Sequence, residues 1–143
     1  FTYASWFAVD ALVLGKEHID ADTRSKCISK ACDFLLSKQM PDGGWGETYE
    51  SCANMEYTQA KTSQVINTAW ALLALQAANS DNKEAIQHGI NLLLERQLDD
   101  GDWEQENISG VFNYNCMITY SAYRNIFPVW ALNRFYQLKT IKV

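Results

Sequence analysis

One feature of this chain restricts its fold more than any other: a segment that occurs twice, in register, without a gap. Gln39, Gly43 and Trp45 recur as Gln97, Gly101 and Trp103, each 58 residues further on. Before each Gln lies a helix-like run, 30–39 and 87–97, with an aromatic or aliphatic pair: Phe34-Leu35 in one copy, Leu92-Leu93 in the other. After each Gln comes an acidic, glycine-containing turn, and such turns end helices because glycine accepts the left-handed conformation. Self-similarity at a fixed period marks a repeat architecture.

A second kind of segment alternates with the first. Trp70-Ala71-Leu72 and Trp130-Ala131-Leu132 each follow a Gln-Gly-Trp turn by about 26 residues, and Trp6-Phe7-Ala8-Val9 is a looser earlier copy. These runs are apolar nearly all round, as in a helix buried on most sides. The runs at 30–39 and 87–97 are more polar and belong outside. Alternating outer and inner helices at a period near 60 residues describe an all-α toroid of helix pairs. Residues 79–82 read as a polar connector in which Ser80 or Asp81 caps the next helix, and Pro128 suits the first turn of a helix. Strand patterning is scarce. The only short candidate is Met117-Ile118-Thr119-Tyr120, read as loop or helix.

Several function classes are disfavoured. The net charge is −5 with no grouped Lys and Arg, which a phosphate-binding surface needs. No run of 18 apolar residues is present to span a bilayer. The four cysteines form no CxxC pair, so free buried thiols are favoured over disulfides, and two histidines away from any Cys pair argue against zinc. No metal or cofactor is expected. The chain starts inside an aromatic run, Phe1 to Trp6, with no initiator Met or signal peptide, and so reads as part of a longer protein.

The repeat resembles the QW motif of the terpenoid cyclases, a basic residue and a small residue followed by an aromatic-aliphatic pair, Gln, Gly and Trp. Lys30, Ala31, Phe34, Leu35, Gln39, Gly43 and Trp45 match it throughout. In the second copy Gly89, Leu92, Leu93, Gln97, Gly101 and Trp103 match, with His88 in place of the basic residue. The tail resembles the sterol-forming oxidosqualene cyclases: Gly110-Val111-Phe112-Asn113, then Cys116, then Tyr120 through Pro128. Phe1-Thr2-Tyr3 with Trp6-Phe7, and 43–52, agree with them too. The resemblance implies that residues 1–143 are the C-terminal part of the catalytic α/α barrel of an enzyme cyclising (S)-2,3-oxidosqualene to lanosterol or cycloartenol. It further implies monotopic membrane association through other parts of the chain, at the endoplasmic reticulum or a lipid droplet on the cytosolic side. The family's Asp-Cys-Thr-Ala-Glu-like acid motif is absent here, so no catalytic acid is assigned and the segment alone is expected to be inactive.

Phe112, Cys116, Tyr120 and Tyr123 are spaced four, four and three apart, which places them on one face if the segment is helical. Cyclisation moves positive charge along a substrate with no counterion, and an aromatic face stabilises such charge by roughly 0.5 to 2 kcal/mol without reacting. The resemblance puts Phe112 at the cavity wall, Cys116 and Tyr120 close by and Tyr123 behind them; Tyr3 and Trp6 lie on the first inner run, where the cavity rim and the core are equally open to them. Core packing is the competing reading. Trp45 and Trp103 with Gln39 and Gln97 are expected to be structural, the Gln amides engaging N–H groups at the start of a neighbouring helix. Asp42, Glu47, Asp99, Asp100, Asp102 and Glu104 read as solvated turn residues rather than a calcium loop or a carboxylate pair. Two other functions stand beside the cyclase. One is a prenyltransferase-like toroid, which would need a zinc set. The other is a non-catalytic helical-repeat module.

Overall fold

The computed structural model describes residues 1–112 and 116–140. It is mostly helical: α1 (Thr2–Leu14), α2 (Ala21–Ser37), α3 (Glu50–Asn54), α4 (Val65–Ala77), α5 (Lys83–Glu95) and α6 (Tyr123–Thr140). A two-stranded antiparallel hairpin, β1 (Gly110–Phe112) and β2 (Cys116–Ile118), interrupts the series before α6.

The apolar run around Trp70 is α4, the centre of the molecule, and every residue from Val65 to Gln76 is buried. α1 and α6 pack on either side of it. The two outer helices carry polar faces to solvent. Only Leu35 of α2 is buried, whereas α5 buries one face through Ile86, Gly89, Ile90, Leu92 and Leu93. Both start on capping side chains. The Asp20 carboxylate accepts from the Thr23 N–H at 2.9 Å and the Asn82 side-chain oxygen from the Ala85 N–H at 3.0 Å. Asn82, rather than Ser80 or Asp81, caps α5. α2 also starts nearer the N-terminus than the repeat required, at Ala21.

The two Trp turns are the same structure built twice. Trp45 Nε1 donates to the Leu35 carbonyl at 2.7 Å, and Trp103 Nε1 to the Leu93 carbonyl at 2.8 Å. Gln39 Nε2 donates to the Gly43 carbonyl at 2.7 Å, and Gln97 Nε2 to that of Gly101 at 2.9 Å. Gly43 and Gly101 share a φ of 88°, where a Cβ would be strained. Both tryptophans are buried, 0% and 1% exposed, so neither is a ligand platform. Gln39 also reaches the first turn of α5, but it donates to the Ala85 carbonyl at 2.9 Å, so its amide is a donor there and not the expected acceptor.

Three expectations are corrected. Gly110–Phe112 and Cys116–Ile118 are paired antiparallel strands, not the expected loop or helix, in keeping with Val111, Phe112 and Ile118. Gly110 has a packing reason, since a Cβ there would meet the Tyr120 ring at 2.5 Å. Pro128 lies inside α6, which starts five residues earlier, at Tyr123; its missing N–H leaves the carbonyl one turn back without a helical donor. α6 is also less enclosed than its apolar core suggested: only Pro128 and Ala131 are buried, and Trp130 is 42% exposed.

Candidate functional site

The N-terminal halves of the three inner helices converge on a cavity of about 260 Å3. α1 contributes Tyr3 and Phe7, α4 contributes Asn67 and Trp70, and α6 contributes Tyr123 and Phe127. β1 forms one wall with Gly110, Val111 and Phe112. The segment after the first Trp turn forms another with Glu47, Thr48, Tyr49, Ser51 and Cys52.

The aromatic rings form a connected edge-to-face set around Trp70. Its ring lies 5.9 Å from Tyr3, 6.0 Å from Tyr123 and 5.4 Å from Phe127, with interplanar angles of 64° to 74°. Tyr120 stacks on Tyr123 at 4.6 Å and 19°. Burial, then the neighbouring Tyr120, pushes the Tyr123 phenol up from its usual range. Such edge-to-face contacts fix ring orientation and leave π-faces available.

Of the residues singled out from the sequence, Tyr3, Phe112, Tyr120 and Tyr123 are brought together at this cavity. Phe112 is 60% exposed, so its ring is not a packed core ring. Cys116 pairs with Phe112 across the hairpin but is exposed and outside the lining. Trp6 is also outside it. Trp6 is buried behind Phe7, packs edge-on against Phe127 and Trp130 at 5.5 and 5.2 Å, and donates its indole N–H to Asp10 at 2.8 Å. Asn113 lies outside the described residues.

Sequence reasoning missed Glu47. It is 8% exposed, not a solvated turn residue, and its Oε2 accepts the Thr2 backbone N–H at 2.7 Å. Its Oε1 is buried with no hydrogen-bond partner among the described residues. No local signal marked it: the residues that follow, Thr48 to Asn54, are mixed in polarity, and the burial comes with a contact 45 residues away. Asp42 and Asp102 are also tied down, by Arg96 at 3.2 Å and Arg124 at 2.9 Å. Trp70 was expected in a buried helix and Phe127 was noted only as part of the cyclase-like tail, yet both line the cavity. The cysteines are free, but Cys27 and Cys116 are exposed and Cys32 and Cys52 half-buried, so the expectation of buried thiols fails. Burial first, and then the Glu47 charge, raises the Cys52 thiol above its usual range, which keeps it a protonated, unreactive wall group.

Among the described residues no cluster of His, Cys, Asp or Glu could hold a metal ion. The site offers aromatic faces, one buried carboxylate and a few neutral polar groups. That composition suits a large apolar ligand, and nothing in it resembles a nucleophile with its base.

The squalene-hopene cyclase C-terminal domain profile matches residues 1–137. The chain belongs to this cyclase family. The family's α/α toroid accounts for the alternation of outer and inner helices. Lanosterol synthase of Homo sapiens is 52% identical over 139 residues, covering 96% of this chain and 19% of that protein. Cycloartenol synthase of Dictyostelium discoideum is 53% identical over 138 residues, again 96% of this chain and 19% of the relative. Alpha-onocerin synthase of Lycopodium clavatum is 37% identical over 140 residues, 94% of this chain and 18% of its own. The chain therefore spans about a fifth of the length of these cyclases.

Proposed function

We propose that this chain is the C-terminal part of the catalytic barrel of an oxidosqualene cyclase, and that the complete protein converts (S)-2,3-oxidosqualene into a tetracyclic sterol precursor, lanosterol or cycloartenol. The observation that carries this reading is the cavity in which Tyr3, Trp70, Phe112, Tyr120, Tyr123 and Phe127 present aromatic surface at the N-terminal ends of three inner helices. The names and identities of the relatives support the substrate class. Protonation of the epoxide is the work of an acid upstream of this segment. The residues here shape the later part of the reaction, where positive charge must survive without being quenched. Aromatic faces do that because they attract a cation and form no bond with it. No described helix is long and apolar enough to cross a membrane. Attachment to one leaflet of the endoplasmic reticulum or a lipid droplet would rest on other parts of the protein.

Expression of the full-length protein with oxidosqualene, followed by gas chromatography of the triterpenes, tests the reading. Phe112→Leu keeps an apolar side chain and removes the π-face. The later cations then lose roughly 1 to 2 kcal/mol, a factor of about five to thirty in partitioning. The expected result is a larger share of partly cyclised or early-deprotonated products at similar substrate consumption. A lower yield with an unchanged product ratio would reduce Phe112 to a structural residue.

A further inference from the structure

The inner helices bring a difficulty to this cavity along with its aromatic walls. Each helix directs the positive end of its dipole, equivalent to roughly half an elementary charge, toward its N-terminus. The N-terminal halves of α1, α4 and α6 are the ones that line the cavity. α4 has neither an acidic residue in its first turn nor a cap from its own N-cap side chain. Unopposed, those ends would disfavour positive charge in the space between them.

Glutamates from distant parts of the chain reach the first residues of α1 and α4. Glu47 accepts the Thr2 N–H of α1 at 2.7 Å, 45 residues away, and Glu106 accepts the Val65 N–H of α4 at 2.6 Å, 41 residues away. Both follow a Trp turn, Glu47 after Trp45 and Glu106 after Trp103. They differ in what else they face. Glu106 is paired with Arg96 at 3.1 Å and does not line the cavity. Glu47 lines it, is 8% exposed, has no ion-pair partner among the described residues, and keeps a buried oxygen without a hydrogen bond.

We propose that Glu47 is the cavity's fixed counter-charge: pinned by the Thr2 N–H, its carboxylate stabilises the cationic substrate during the later cyclisation steps. This inference rests on the cyclase reading above. Thr2 immediately precedes the lining residue Tyr3, so the same hydrogen bond fixes the wall on which the charge acts. The tether also holds the carboxylate at the wall, where it acts as a field and not as a nucleophile.

Three full-length variants test it, read by the ratio of fully cyclised to early-deprotonated triterpenes. This ratio does not depend on how much enzyme folds. Glu47→Gln keeps an oxygen to accept the Thr2 N–H and removes only the charge. The ratio should fall about tenfold, the effect of roughly 1.4 kcal/mol on the partitioning barrier. Glu47→Asp retains the charge and should stay close to the parent. Glu106→Gln makes the same chemical change at a cap outside the cavity and should leave the ratio alone. An unchanged ratio in Glu47→Gln would overturn the proposal and leave Glu47 a helix cap only. Equal shifts in Glu47→Gln and Glu106→Gln would overturn it in favour of a general distortion of the cavity walls on losing a helix cap. A completed skeleton quenched by water in Glu47→Gln would also overturn it, since Glu47 would then be the terminal base. If the parent enzyme forms no cyclised product from oxidosqualene, the cyclase reading itself falls and this inference goes with it.

Discussion

The Tyr57 hydroxyl donates to the Gly46 carbonyl at 3.1 Å and to Gln59 Oε1 at 3.2 Å, beside the turn that delivers Glu47. Burial, and then the Glu47 charge, pushes this phenol up to about 12. An unfolded tyrosine titrates near 10. With the folded value above the unfolded one, the contribution of Tyr57 to stability is complete below about pH 10 and is lost as the pH rises through the folded value. The parent protein should therefore be more stable than Tyr57→Phe at pH 8, with the gap closing between pH 10 and 12. Denaturant midpoints of both full-length proteins across that range check this, and a constant gap would show that the phenol is not shifted on folding. At this scale the sequence was partly legible. Phe112, Tyr120 and Tyr123 stood out by their regular spacing and by the resemblance of the tail to the sterol-forming cyclases. Glu47 did not, because burial of a carboxylate depends on a contact with Thr2 that no local pattern encodes.

Between elements, Arg96 is the knot. From the end of α5 its Nη1 donates to the Ser63 carbonyl at 2.7 Å and to Glu106 at 3.1 Å, and its Nη2 reaches Asp42 at 3.2 Å. Asp42 in turn accepts from Ser63 Oγ at 2.6 Å, so both Trp turns are bound to the start of the central helix. Arg96→Ala should cost roughly 1 to 2 kcal/mol, more than one exposed ion pair, because Glu106 loses its partner while still holding Val65. The pH dependence follows from Glu106. Burial raises its carboxyl, outweighing the opposing effects of the Val65 N–H and Arg96. A raised folded value means stability that is present below the ordinary glutamate range and lost as the pH climbs through the folded one. Relative to Glu106→Gln, the parent should be most stable in acid and lose that advantage toward neutrality, and Arg96→Ala should lose it more steeply. Urea midpoints from pH 4 to 8 decide the matter, and an advantage that grows with pH would refute the sign. The helices themselves were legible because outer and inner runs differ in polarity. The hairpin was not, because three-residue strands fall below the length at which alternation can be counted.

The molecule as a whole buries one helix and leaves its neighbours half-covered. α4 is enclosed, while Phe7 and Leu14 of α1 and Ile126, Val129, Trp130 and Tyr136 of α6 are exposed. An arc of a toroid has this character, since each helix pair relies on the next for cover. The 143-residue chain expressed alone should aggregate or bind hydrophobic dyes as a loosely packed species. A monodisperse monomer with a sharp melt would favour the self-contained helical module instead. Periodicity made the arc readable from sequence, whereas the uncovered face of α6 was not, because an apolar run says that a surface will be covered without saying by which partner.

The Trp turn has a consequence in time. Its indole bond joins residues ten apart and its amide bond residues four apart. The contacts of α4 with α1 and α6, by contrast, join segments separated by about one full repeat. Closing a short loop sacrifices little chain entropy, so each turn can latch before the partners of its helix have been found. During synthesis, a copy leaving the ribosome can close on itself while the next is still being made. The repeated unit is then a row of latches set in order, each giving the following helix a finished edge to dock on.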